Sequence, residues 1–215
     1  MIAIFYHCIV SGGSIPINTG FVCGILAEQM DAMFHSGLLD EADELHIGIN
    51  GNEEDLQLVR HFCPCPHAHY LLHGSGMTSE IPTLSALHRW LPAHRDWLVL
   101  YLHVKGATHP GDLLSERWRR RMESAVVWGW RKCVWELEHG REACGSHWLT
   151  KERYPALVST PFFGGNFWFA TAQYLLTLPP LPPATWGNRF EAERWIGSGD
   201  HQPIVKDFHP GWPSL

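Results

Sequence analysis

No stretch of this sequence is both long and apolar enough to cross a bilayer. Its hydrophobic runs, such as "IAIFYHCIV" from Ile2 to Val10, fall well short of the roughly 20 residues that a spanning helix needs. Met1 leads straight into that run without a basic leader, so the reading is a cytoplasmic protein with no membrane span. Positive charge is scarce as well. Lys and Arg total 16 against 22 Asp and Glu, a formal net charge of -6, which excludes a nucleic-acid binder that relies on bulk positive charge and leaves a small anionic partner. Cysteine is too thinly scattered, 6 in 215 residues, for a disulfide framework, and the thiols read as reduced. Internal repeats and low-complexity tracts are missing too. The proline-rich "LPPLPPATWG" reads as a surface loop, because too few residues follow it to build a second core, so residues 1–215 are expected to form a single domain.

What remains is a chain that is 45% hydrophobic, with strand-like and helix-like segments in alternation. That is the pattern of an α/β fold with a mostly parallel central sheet flanked by helices. Strands are expected at Ile2–Val10, in "ELHIGING", in "HAHYLLHG", in the central "WLVLYLHV" and once or twice in "ALVSTPFFGGNFWFA". Helices are expected from Phe21 to Ser36, closed by Gly37, and from Glu53 to Phe62. "SEIPTLSALHRWL" has Pro82 in its first turn. A long helix is expected over Asp112–His139, and short ones in "TAQYLLTL" and "RFEAERWIG".

In open α/β sheets, ligands gather beyond the carboxyl ends of the strands. "DWLVLYLHVKG", Asp96 to Gly106, ends there with His103 and Lys105, which at strand spacing share a face with Tyr101. An imidazole and a fixed cation at that point suit a diphosphate or an anionic leaving group. A solvated strand end would carry the same residues.

Other segments join this one. "SEIPTLSAL", "YLHVKG", "ERWRRRM", "GGNFWFA" and "EAERWIG" occur in this order. Together they resemble a group of bacterial and viral glycosyltransferases of the GT-A fold. That group has a Glu-x-Pro-Thr-Leu helix start, a Tyr-x-His-x-Lys-Gly strand end, a Trp-Arg-x-x-Met helix, a Gly-Asn-Phe-Trp segment and a late Glu-x-Trp-Ile-Gly. The resemblance implies a GT-A-like fold and transfer of a sugar from a UDP-, GDP- or dTDP-sugar to a saccharide, lipid-linked or protein acceptor, in bacterial or viral surface glycan synthesis. It also implies that the first strand and its "YHCIVSGG" exit, with His7, hold the nucleoside, and that Glu80 belongs to the donor site.

Physical reasoning then assigns roles among the matched residues. Lys105, with His103 or Arg119, suits stabilisation of the departing nucleoside diphosphate. Glu193 suits the general base; Glu191, two residues away on a helix, points elsewhere. Gly165 lets backbone approach the acceptor, Asn166 can donate and accept, and Trp168 offers a flat apolar face to a pyranose, whereas Phe167 reads as core. The Asp-x-Asp that holds a divalent ion in many GT-A enzymes is replaced here by Tyr101-Leu102-His103. A requirement for Mn²⁺ or Mg²⁺ is therefore in doubt, with His103 as the candidate ligand.

Two other classes fit parts of the sequence. A non-catalytic carbohydrate-binding module would use the same tryptophans. A zinc-stabilised interaction domain would use Cys63, Cys65, His67 and His69 of "CPCPHAH", but in an extended chain those ligands spread over roughly 20 Å.

Overall fold

The first strand explains the rest of the architecture. β1 (Ile2–Ile9) is buried along nearly its whole length, because it is hydrogen-bonded in parallel on both sides and covered by helices on both faces. Ile2, Ile4, Tyr6 and Cys8 enter one hydrophobic cluster. Ala3 and Phe5 enter the other. The computed structural model describes residues 1–11, 17–74, 79–185 and 190–211. Gly12 and Gly13, in the expected nucleoside loop, and Trp186 and Gly187, in the proline-rich connector, lie outside the described residues.

α1 (Thr19–His35) begins where the Asn18 side chain accepts the Phe21 amide, and it ends before Gly37, whose φ of 74° only glycine adopts cheaply. After the single turn α2 (Leu38–Glu41) and β2 (Glu44–Asn50), α3 (Glu53–Phe62) opens with a capping box between Asn52 and Asp55. β3 (Ala68–Leu72), α4 (Ile81–Trp90) and β4 (Leu98–His103) follow as expected, with Pro82 in the first turn of α4.

The expected long helix is instead two, α5 (Leu113–Val126) and α6 (Trp130–Glu138). The Trp128 amide bonds back to the Glu123 carbonyl at 3.0 Å, a wider loop than the α-helix uses. At Gly129 an added Cβ would sit 2.5 Å from the Ala125 carbonyl, so the break is built around glycine. β5 (Ala143–Gly145), β6 (Trp148–Leu149) and β7 (Phe162–Phe163) lead to β8 (Trp168–Thr171). The single turns α7 (Ala172–Leu175) and α8 (Glu191–Arg194) and the strand β9 (Val205–Asp207) complete the described chain.

The main sheet has seven strands in the order β3-β2-β1-β4-β8-β5-β9. It is mostly parallel; β8 alone runs antiparallel to its neighbours β4 and β5. β6 and β7 pair separately. Helices α1, α3, α5 and α6 pack on the Ile4 face and α4 on the Phe5 face. No described helix is long and apolar enough to cross a membrane.

Candidate functional site

From β1 the chain moves to β2 across one face of the sheet, and from β3 it returns across the other face to β4, on the far side of β1. The two crossovers diverge at the boundary between β1 and β4, which opens a crevice beyond their carboxyl ends. His7 of β1 and His103 of β4 are register partners at that point. A cleft of about 310 Å³ lies over them and is lined by His7, Glu80, His103, Lys105, Phe190 and Glu193, among others. It thus brings together five residues singled out in the sequence, drawn from segments far apart in the chain. Its size suits a small molecule.

His7, His73 and His103 are held neutral. Burial lowers His103 to about 3, with the Lys105 ammonium adding to the effect. His73, at the exit of β3, falls to about 4 through burial and then Arg89. His7 is lowered by burial and by its histidine neighbours. Thr83 Oγ1 joins two of them, 2.8 Å from His7 Nδ1 and 3.1 Å from His73 Nε2. His103 Nε2 is 3.0 Å from the Gly165 carbonyl. A carbonyl only accepts, so Nε2 carries the proton and Nδ1 the lone pair.

Positive charge therefore comes from Lys105. Its ammonium lies 4.4 Å from the centre of the Trp118 ring and makes no ion pair among the described residues. Gly106, with φ of 88°, then turns the chain away from β4. Trp118 is itself fixed. An added Cβ at Gly165 would meet Met122 Sδ and the Trp118 ring, so the Trp-Arg-x-x-Met helix and the paired glycines are two halves of one contact.

Two carboxylates line the cleft. Glu80, just before α4, accepts hydrogen bonds from the Tyr101 hydroxyl at 2.8 Å and from Asn166 Nδ2 at 2.7 Å, while Oε1 is 3.7 Å from His103 Nε2. Burial still outweighs these donors and holds its carboxyl above the usual range. Glu193 lines the cleft from α8, without a hydrogen bond or ion pair among the described residues. Glu191 pairs instead with Arg194 at 3.4 Å. Buried Trp195 and Ile196 anchor this segment, with Trp195 Nε1 donating to the Pro179 carbonyl. An added Cβ at Gly197 would strike the Pro161 carbonyl, which accounts for the glycine of Glu-x-Trp-Ile-Gly.

Several expected contacts sit elsewhere. Arg119 is only 4% exposed, engaged by Glu28 at 3.0 Å and Glu123 at 3.4 Å. It lines a separate pocket between α1 and the start of α5, because its helical position turns it toward α1. Asn166 and Trp168 have no exposed surface. Both faces of β8 are covered, so Trp168 stacks on Tyr101 with ring centres 5.2 Å apart and presents no open face to a sugar. Gly165 is buried beside them.

With its Nε2 proton given to the Gly165 carbonyl, His103 could ligate a metal only through Nδ1. No group of three His, Cys, Asp or Glu among the described residues could hold an ion. Among the described residues, His103 therefore lacks the companion ligands that a divalent site needs. In "CPCPHAH", Cys63 is buried with its thiol 3.2 Å from Met30 Sδ, whereas His67 and His69 are exposed. All six cysteines are free. Sequence reasoning missed Phe190, which is 50% exposed at the cleft beside Glu193. It also missed His73, which follows a hydrophobic strand just as His103 does, and gave Thr83 of the Glu-x-Pro-Thr-Leu match no role.

A family profile described as "Domain of unknown function (DUF8361)" matches residues 5–191, from β1 to the first residue of α8. The chain belongs to that family. Glu193 and the Trp195-Ile196-Gly197 turn lie just past the stretch matched to DUF8361. No curated protein matches the chain. Solved structures similar to this DUF8361 member include 4-diphosphocytidyl-2C-methyl-D-erythritol synthase from Anaerococcus prevotii, at 11% identity over 100% of this chain and 88% of that one, TM-score 0.49. A putative nucleotide-diphospho-sugar transferase from Desulfovibrio desulfuricans is 10% identical over 97% of this chain and 80% of that one, TM-score 0.49. Glucosyl-3-phosphoglycerate synthase from Mycobacterium tuberculosis, solved with Mn²⁺, UDP and glucosyl-3-phosphoglycerate, is 14% identical over 96% and 68%, TM-score 0.47.

Proposed function

We propose that this protein is a GT-A-like glycosyltransferase working as one domain over residues 1–215, which moves a sugar from a nucleoside-diphosphate donor to an acceptor hydroxyl. One observation carries the reading: an ammonium, Lys105, and a carboxylate, Glu193, neither in an ion pair among the described residues, line the same small cleft at the sheet's switch point. The acceptor oxygen attacks the anomeric carbon as the bond from that carbon to the diphosphate oxygen breaks. The hydroxyl proton passes to Glu193, and the charge left on the diphosphate is met by Lys105. A single displacement of this kind inverts the anomeric centre.

His7 and neutral His103 form the floor under the donor. Glu80 offers a carboxylate to sugar hydroxyls, and half-exposed Phe190 replaces Trp168 as the apolar surface for a sugar ring. A cytoplasmic reaction in surface glycan synthesis, on a saccharide, lipid-linked or protein acceptor, belongs to the same proposal. Calorimetry of the full chain with UDP, GDP and dTDP tests it. Binding of one nucleoside diphosphate at micromolar levels is expected, and failure of all three to bind would leave a carbohydrate-binding module as the better reading.

A further inference from the structure

Asn166 links two segments that line the cleft. It is wholly buried, yet its φ of 59° lies in the left-handed region. Among the described residues only one other non-glycine residue shares that conformation, His147, and its carbonyl accepts the Gly164 amide at 2.9 Å. The two left-handed residues thus brace one turn, Gly164-Gly165, whose Gly165 carbonyl holds the His103 imidazole. Left-handed backbone at a side-chain-bearing residue persists only where the surroundings fix it.

The surroundings here use every polar atom of the Asn166 amide. Nδ2 donates to Glu80 Oε2 at 2.7 Å and to the Ala192 carbonyl at 3.3 Å, while Oδ1 accepts from Trp168 Nε1 at 2.8 Å. Glu80 is one cleft carboxylate, and Ala192 immediately precedes the other. One primary amide therefore ties together the head of α4, the start of β8 and the single turn α8. Aspartate has no proton to donate at either site, and glycine keeps the backbone but loses all three bonds.

We infer that Asn166 is a positioning residue: it holds Glu80 directly, and Glu193 through the Ala192 carbonyl, in fixed relation to each other at the cleft. Its consequence for turnover rests on the sugar-transfer reading; the positioning itself does not. A misplacement of about 1 Å at a reacting group lowers turnover about 100-fold without a matching loss of binding.

The test has a spectroscopic and a kinetic part. In the unaltered full chain, ¹⁵N NMR should show slowly exchanging Asn166 side-chain amide protons whose signals move on Glu80→Gln. Exchange as fast as in an exposed asparagine, or no response to Glu80→Gln, overturns the inference without requiring any Asn166 variant to fold. Asn166→Gly and Asn166→Asp should keep affinity for the nucleoside diphosphate within about threefold while kcat falls about 100-fold. Unchanged kcat in either variant overturns the inference too. If the unaltered protein binds no nucleoside diphosphate, the sugar-transfer reading fails, and the amide signature alone decides the role of Asn166.

Discussion

Lys105 Nζ stands 4.4 Å over the Trp118 ring, and the edge of that ring, with the Met122 thioether, occupies the space where Gly165 lacks a side chain. The cation is thus held by a π face and not by a carboxylate, which orders the lysine chain while leaving its charge available. Lys105→Ala should weaken nucleoside diphosphate binding about 10–100-fold, the range for a hydrogen bond to a charged group, and leave free nucleoside binding nearly unchanged. Trp118→Leu should produce a smaller loss of the same kind. Equal losses for nucleoside and diphosphate in calorimetry would remove the charge from the explanation.

The neutral histidines make stability fall on acidification. Both His103, at about 3, and His73, at about 4, are depressed in the folded state, so below about pH 6.5 the unfolded chain binds protons that the folded chain refuses. Their contribution is fully present above that pH and is lost as pH falls toward the folded values. Glu80 acts in the opposite sense: its carboxyl is raised, chiefly by burial, and the folded state takes up its proton first. Between pH 6.5 and 5 the histidines dominate, at about 1 kcal/mol per pH unit for each. Urea denaturation across this interval should show that slope, and His103→Gln should flatten part of it. A stability independent of pH between 7 and 5 would contradict the buried, neutral assignment.

Much of this site was legible because its residues follow strong periodic signals. His103 and Lys105 close a hydrophobic strand, and Glu193 sits in a segment fixed by Trp195 and Gly197. What the sequence hid depends on long-range packing. Alternation along "NFWFA" does not reveal that both faces of β8 are covered, which turns Asn166 and Trp168 from open contacts into buried supports. Strands β5 and β9 have three residues each, too few for a period to show. Arg119 looked available because a helix carries cations on every side, and only the packing of α1 shows that Glu28 and Glu123 engage it. Phe190 gave no signal at all, since its exposure depends on which segments fold over it.

Donor binding should not require a divalent ion to the degree that an Asp-x-Asp site does. Leu102 and Val104 flank His103 and are buried, and no group of three His, Cys, Asp or Glu among the described residues could hold an ion. With Lys105 supplying charge, affinity for the nucleoside diphosphate should fall less than about tenfold in EDTA, as a fixed cation already meets the diphosphate. Complete loss on chelation, restored by Mn²⁺ in calorimetry, would show that a ligand set forms once the donor is bound.

Glu193 and Glu191 provide an internal comparison. They lie two residues apart on the same helical turn, but Glu191 is paired with Arg194 and Glu193 faces the cleft. Positioned proton transfer contributes about 10²–10⁴ in rate, so Glu193→Gln should lower kcat by that order. It should leave nucleoside diphosphate affinity nearly intact, because the diphosphate is met by Lys105. Glu191→Gln removes a partly exposed pair with Arg194, worth under about 1 kcal/mol, and should leave turnover unchanged. Both rates and affinities are needed to read the result. If the two substitutions slow turnover alike, the effect comes from disturbing α8, and if Glu193→Gln abolishes nucleotide binding, Glu193 contacts the donor and not the acceptor proton.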